Sequence, residues 1–314
     1  MLAYILRRLV LMIPVLFGVS TALFVLMRVV PGDVARTILG QNATPEAISA
    51  LRHQMGLDKS IGAQYTDWLW GLVRGDLGQS LRSGYPVSTL IGQRFPATLE
   101  LTVAAMVISL MTAIPLGILA AVKRGSWIDH LTAVIGLAGL SIPSFWLGTL
   151  LILFVALKLR WLPPFGYTPF FDDPLQSLRH LALPALTLGF SMTAVVMRMT
   201  RSSMVEVLGE EFVKTARAKG LIERRVLYGH ALKNALIPVL TIIGLQTGFL
   251  FGGAVIIENL FAWPGIGRLT LDGVFQRDYP VVQGSVLFVA VLFVLINLVV
   301  DVLYSYLDPR IHYR

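Results

Sequence analysis

Apolar residues along this chain fall into long, nearly uncharged blocks separated by polar and basic stretches. A hydrocarbon core about 30 Å thick takes roughly 20 apolar residues as helix. Six blocks reach that length, at 9–29, 97–122, 130–157, 181–200, 236–258 and 281–304. The pattern predicts six transmembrane helices. Pro143 and Pro184, with Gly136, Gly139 and Gly148, interrupt regular helix inside these blocks. They suit close helix packing or, alternatively, a kink lining a path.

Between the first two blocks the periodicity changes. Thr44 reads as an N-cap with Pro45 at the first helical position. Ala47, Ile48, Leu51 and Met55 then share one helical face, and Gly56 suits the helix end. A second amphipathic stretch covers about 61–74, with Ile61, Tyr65, Trp68, Leu69 and Leu72, before the turn-rich run 74–80. This segment is a small cap on the span ends or a docking surface for an external partner.

Composition strengthens the membrane reading. Of 314 residues, 55% are hydrophobic and 14% charged, where soluble domains carry about 25% charged. Mean hydropathy is +0.73. The first block follows Arg7 and Arg8 as in a signal peptide, but its apolar run is too long and no A-x-A-like site follows. It reads as a retained span.

The net charge of +8 suggests nucleic acid in a soluble protein. In a membrane protein it reflects basic cytoplasmic loops. The 198–235 loop alone holds Arg198, Arg201, Lys214, Arg217, Lys219, Arg224, Arg225 and Lys233. Arg7, Arg8, Lys123, Arg124, Arg310 and Arg314 fall on the same side. The short loops opposite hold Lys158, Arg160, Arg179, Arg268 and Arg277. Both termini are therefore expected in the cytoplasm. The domain reading is 1–30 for the tip and first helix, 31–94 for the external helical segment, 95–305 for the remaining helices, and 306–314 for the tail.

Absent chemistry narrows the function. No cysteine is present, which excludes disulfides and thiolate sites. His53, His130, His180, His230 and His312 lack ligand spacing on one helix, so no metal site is expected. Neither H-E-x-x-H nor G-x-S-x-G occurs, against a membrane hydrolase. No Gly-Lys dipeptide exists, so the chain carries no P-loop. Glu100, Glu258 and Asp301 sit toward block ends, away from mid-bilayer. Carriers that couple ions keep charges in the interior, so their scarcity favours a conduit powered from elsewhere.

The 198–235 loop is the most informative stretch. Glu206, Glu210 and Glu211 precede Phe212-Val213-Lys214-Thr215-Ala216-Arg217-Ala218-Lys219-Gly220, and basic residues end it, as a helix dipole prefers. Gly220 suits a C′ position. Leu221 to about Asn234 then forms a second short helix leading into the fifth span. Thr215, Ala216 and Ala218 are small enough to let another surface approach closely, although a basic helix resting on anionic lipid is an alternative.

Lys214-Thr215-Ala216 with Gly220 resembles the "EAA…G" loop of ABC importer permeases. The longer run Glu211–Leu221 resembles its form in the dipeptide, oligopeptide and nickel permease family. Two positions depart: Lys214 stands where the general pattern has Glu, and Lys233 where many importers have proline, while Pro238 matches a later proline of this family. Further blocks carry the same resemblance: Met55–Asp58, Gly75–Gly78 with Ser80, Pro86-Val87, Arg94 with Pro96, Thr98, Leu99 and Leu101, Ser141–Gly148, His180–Ala185, Arg198–Met204, Glu258 with Phe261–Gly267, Arg277–Pro280, Asp301, and Asp308-Pro309-Arg310.

The resemblance implies an all-α integral membrane protein of type I importer permease architecture, six helices with an external helical insertion between the first two. It implies residence in a prokaryotic inner membrane. Lys214, Thr215, Ala216, Arg217, Ala218, Gly220 and Leu221 are then the ATPase-coupling residues. Ser141, Pro143, Phe145, Glu258, Trp263, Pro264 and Asp301 are candidates for the path or gate. Packing remains the alternative for Ser141 and Phe145, interfacial anchoring for Trp263, and ion pairing or capping for Asp301. Implied partners are a homologous second permease chain, two ATPase subunits at 201–235, an external solute-binding protein and lipid. No cofactor is expected on this chain, ATP and Mg being used by the ATPases. The cargo is di- or oligopeptides, with nickel complexes, glutathione or another small solute as alternatives, and a stand-alone carrier as a further rival.

Overall fold

In lipid every backbone N–H and C=O must be satisfied within the protein, and a helix does so locally. The computed structural model describes residues 2–29, 34–39 and 43–307, and these are mostly helical. The order is α1 (Leu2–Val29), α2 (Val34–Leu39), α3 (Pro45–Gln54), α4 (Ile61–Val73), α5 (Val87–Val122), α6 (Trp127–Ser141), α7 (Ser144–Leu151), α8 (Pro174–Leu208), α9 (Glu211–Ala218), α10 (Glu223–Arg225), α11 (Leu232–Leu260), α12 (Ile266–Gln276) and α13 (Tyr279–Leu307). π-helical turns at Ile152–Lys158 and Val226–Ala231 follow α7 and α10. The side chains of Arg7, Leu51 and Asp301, and residues 308–314 with their Asp-Pro-Arg motif, lie outside the described residues.

Among the described residues five helices are long and apolar enough to cross a membrane, and the predicted span 130–157 is a bent pair. That is a correction: α6 and the α7 segment meet at 104°. Pro143 has no N–H and pushes its predecessor out of the helical region. Ile142 accordingly adopts φ −82°, ψ 119°. Its N–H still closes on the Ala138 carbonyl, and Pro143 accepts from Trp146 and Leu147 to start α7. Pro184, also expected to interrupt, lies within continuous α8.

Several helices outrun their apolar blocks. α5 begins at Val87 because Val87 and Ile91 are buried, even though Ser88 and Thr89 lie between them and Gln93 and Arg94 follow. α8 begins at Pro174, where the Asp173 carboxylate accepts from the Gln176 N–H at 3.0 Å. The short helices α2 and α12 carry no signal in the block pattern.

Two compact units form. One comprises Ala97–Trp263 and the chain from Phe293. Its core includes Leu101, Leu183, Met192, Val196, Met197, Ile257, Phe261 and Trp263. Small residues set its helix spacing: a Cβ on Gly139 would lie 2.5 Å from the Ala194 Cβ, and one on Gly189 would lie 2.7 Å from the Ala105 carbonyl. These glycines bring α6 and α5 against α8, as small residues do in bilayers.

The other unit comprises Leu2–Pro96 and Pro264–Leu292. Its predicted helices α3 and α4 are present. The Thr44 hydroxyl accepts from the Ala47 N–H at 3.3 Å, and Gly56 ends the helical run at φ +65°. Val87, Ile91, Ile266 and Val281 form a small core. Two sequence blocks meet here: the Ser80 hydroxyl donates to the buried Asp278 carboxylate at 2.5 Å, and the Leu81 N–H donates to it at 3.1 Å.

Candidate functional site

The stretch around α9 is built from one narrow apolar face. Val213 and Ala216, three apart, point inward and are buried with Ile118, Ala121, Met204, Val226, Ala231 and Ala235. Phe212 and Lys219, which share the predicted spacing, are exposed. Lys214, Thr215, Arg217, Ala218 and Gly220 are also exposed, and Leu221 is half-buried. The small-residue surface expected from Thr215, Ala216 and Ala218 is therefore corrected: Ala216 serves the inner face, and Thr215 and Ala218 form the outer one.

The end of α9 is sharply defined. Gly220 adopts φ +75°, a region that penalises a Cβ by about 1–2 kcal/mol. Its N–H donates to Arg217 O, and the Leu221 N–H donates to Ala216 O, a Schellman closure. Side chains fix the outer surface. Lys214 pairs with Glu211 at 2.7 Å, and the Arg217 fork donates to Glu223 at 2.7 and 3.1 Å. The hydrogen bond to Glu223 raises the Arg217 guanidinium above its ordinary pKa.

An ion pair unforeseen in the sequence joins α6 to α8. The Asp129 carboxylate is buried. It accepts from Arg201 at 2.5 and 2.8 Å and from the Gly125 N–H at 3.0 Å. A lone acid one residue before a predicted span, with an arginine-rich span end later in the chain, was the available signal.

The candidate path residues divide. Glu258 and Trp263 come together in the interior, both fully buried. The Thr98 hydroxyl donates to Glu258 at 2.7 Å. The indole N–H donates to Ala97 O at 2.8 Å. Tyr167 packs edge-on against the Trp263 ring at 4.8 Å, and burial together with the Glu100 carboxylate pushes its phenol up to about 12. Pro264 is half-buried, and Ser141, Pro143 and Phe145 are exposed around the α6–α7 break. Asp301 lies in α13.

Residues 113–313 match the family model described as binding-protein-dependent transport system inner membrane component. Residues 1–102 match its N-terminal companion. The chain is 45% identical over 333 residues to the dipeptide transport system permease protein DppB of Alkalihalophilus pseudofirmus, covering all of both chains. It is 44% identical over 338 residues to DppB of Escherichia coli K12, again covering all of both. It is 45% identical over 314 residues, with the same coverage, to the glutathione transport system permease protein GsiC of Escherichia coli O6:H1. The MetNI methionine ABC transporter in inward-facing form shares the fold, at a TM-score of 0.57 and 16% identity, over 70% of this chain and 96% of that one. With the helical membrane fold and the α9 surface in place, the chain belongs to the binding-protein-dependent inner-membrane transport family and is a multi-pass permease subunit of an ABC importer, not itself an enzyme.

Proposed function

We propose that this permease imports di- and short oligopeptides, with the outer face of α9 docking the ATPase that drives it. The observation that carries the docking reading is the orientation of α9. A short helix whose buried side chains are Val213 and Ala216, with Thr215 and Ala218 outward, presents a small-residue ridge to a groove. The peptide cargo is supported by the full-length likeness to dipeptide permeases, and glutathione, itself a short peptide derivative, fits the same chemistry.

In this reading two ATPases bind at 201–235 and use ATP and Mg, while this chain binds neither. An external binding protein delivers the peptide, and a homologous second permease chain completes the path. The loop bearing α9 and both termini face the cytoplasm, in accord with its basic residues. ATP binding draws the ATPases together, and α9, tied to α5, α8 and the start of α11 through one apolar cluster, passes that motion to the spans.

The test compares Thr215→Trp with Gly220→Pro in cells carrying the whole importer. Proline locks φ near −65° where Gly220 needs +75°. Both variants are expected to keep membrane levels and lose dipeptide uptake by about tenfold or more. Unchanged uptake in both rejects the coupling surface. For cargo, dipeptides with the cognate binding protein are expected to stimulate ATP hydrolysis by the reconstituted complex. Stimulation by a nickel complex alone rejects the peptide reading.

A further inference from the structure

Arg198, grouped with the basic loop in the sequence, lies within α8, an apolar helix of membrane length. Three contacts show that α6 and α8 run antiparallel. Asp129 pairs with Arg201. A Cβ on Gly136 would lie 3.3 Å from the Arg198 Cγ, and one on Gly139 would lie 2.5 Å from the Ala194 Cβ. α6 starts at Trp127, whose exposed ring is of the kind that marks the membrane–water interface. Gly136 is about two turns beyond Asp129, roughly 10 Å along the axis, so the Arg198 stem crosses α6 inside the span. Helical side chains also lean toward their N-terminus, which carries this one away from the Leu208 end. The residue is exposed and has no hydrogen-bond or ion-pair partner among the described residues.

Arg198 lines a cavity of about 720 Å³ with Leu137 and Leu140 of α6, Val195 and Ser202 of α8, and Ile242 of α11. Small-molecule sites span about 300–1,000 Å³. Arg201, which also lines it, is taken by Asp129, so Arg198 is the cavity's unpaired cation. Hydrocarbon is a poor host for a lone guanidinium, and charges at this depth face water-filled cavities and mark transport paths. We propose that Arg198 receives the C-terminal carboxylate of a peptide passing through the permease. This rests on the peptide-import reading above and names the group of the cargo that this chain recognises. A guanidinium holds a carboxylate through two parallel N–H···O bonds. The α-carboxylate is the anion that short peptides share whatever their side chains, and the mostly apolar walls leave those side chains unread. Leu140 adjoins the exposed Ser141 at the α6–α7 break, which brings the cavity up to the candidate path residues. Lipid phosphate lies at the membrane surface, and the Arg198 stem leads away from it.

The test uses the whole importer in proteoliposomes. Uptake of a dipeptide is compared with that of its C-terminal amide, each presented on binding protein already loaded with it. Wild type is expected to move the acid faster than the amide. Arg198→Gln is expected to lower uptake of the acid about tenfold, to leave the amide within about twofold, and to keep ATP hydrolysis stimulated by loaded binding protein. Arg198→Lys is expected to restore part of the loss. Unchanged uptake of the acid in Arg198→Gln overturns the proposal. An equal fall for acid and amide, with ATP hydrolysis lost as well, overturns it in favour of a structural role. Loss of phosphatidylglycerol from the variant in native mass spectrometry, with the ratio of acid to amide uptake unchanged, overturns it in favour of a lipid contact. A wild type that moves no dipeptide at all rejects the cargo reading, and this inference with it.

Discussion

The α9 surface and the Glu258–Trp263 corner both carry dense sequence motifs, yet the fold treats them in opposite ways. α9 exposes Lys214, Thr215, Arg217 and Ala218 and hides only Val213 and Ala216. The corner buries both Glu258 and Trp263 completely and satisfies them with Thr98 and Ala97. A motif can therefore mark a surface offered to another molecule or a joint that holds the chain's own helices. Motif density does not separate the two; the hydrogen-bond partners do.

The sharpest way to break this comparison is to cut each region at its centre. Trp263→Ala removes a fully buried ring and its bond to Ala97. A loss of about 3–5 kcal/mol is expected, seen as a lowered melting temperature in detergent. An unchanged melting temperature would show that the corner is not a structural joint.

A finer probe sets neighbours on α9 against each other. Ala216→Leu overfills the inner cluster and is expected to cost about 1–3 kcal/mol of stability. Ala218→Leu faces outward and should stay within about 0.5 kcal/mol of wild type, while uptake falls. If the two variants lose stability equally, the assignment of inner and outer faces fails.

The smallest effect concerns the pair between Arg217 and Glu223. Both side chains are partly exposed, at 42% and 54%. A double-mutant cycle with Arg217→Gln and Glu223→Gln is expected to give a coupling of about 0.2–1 kcal/mol, reduced by salt. A coupling well above that range would mean the pair is shielded in the assembled importer.

Much of this molecule was legible beforehand. Five of the six apolar blocks located helices long and apolar enough to cross a membrane, and the sixth located a bent pair, because hydrocarbon thickness sets a minimum apolar length that local composition reports directly. Thr44, Gly56 and Gly220 marked helix ends correctly, since capping is a local matter of a few residues. The break at Pro143 was signalled as an interruption, but not its 104° turn, which depends on what the two halves pack against. α12 was missed because its residues form no membrane-length run, and Ile266 is buried by partners distant in sequence.

By itself, then, the sequence determined which segments enter the membrane, where short helices begin and end, and to which family the chain belongs, since each follows from composition, local backbone preference or motif order. Only the tertiary structure decided which side of α9 faces out, that Asp129 pairs with Arg201, and that Glu258 and Trp263 are internal. Those outcomes join residues far apart along the chain. Burial and pairing over such separations are set by how helices pack, which no local pattern encodes.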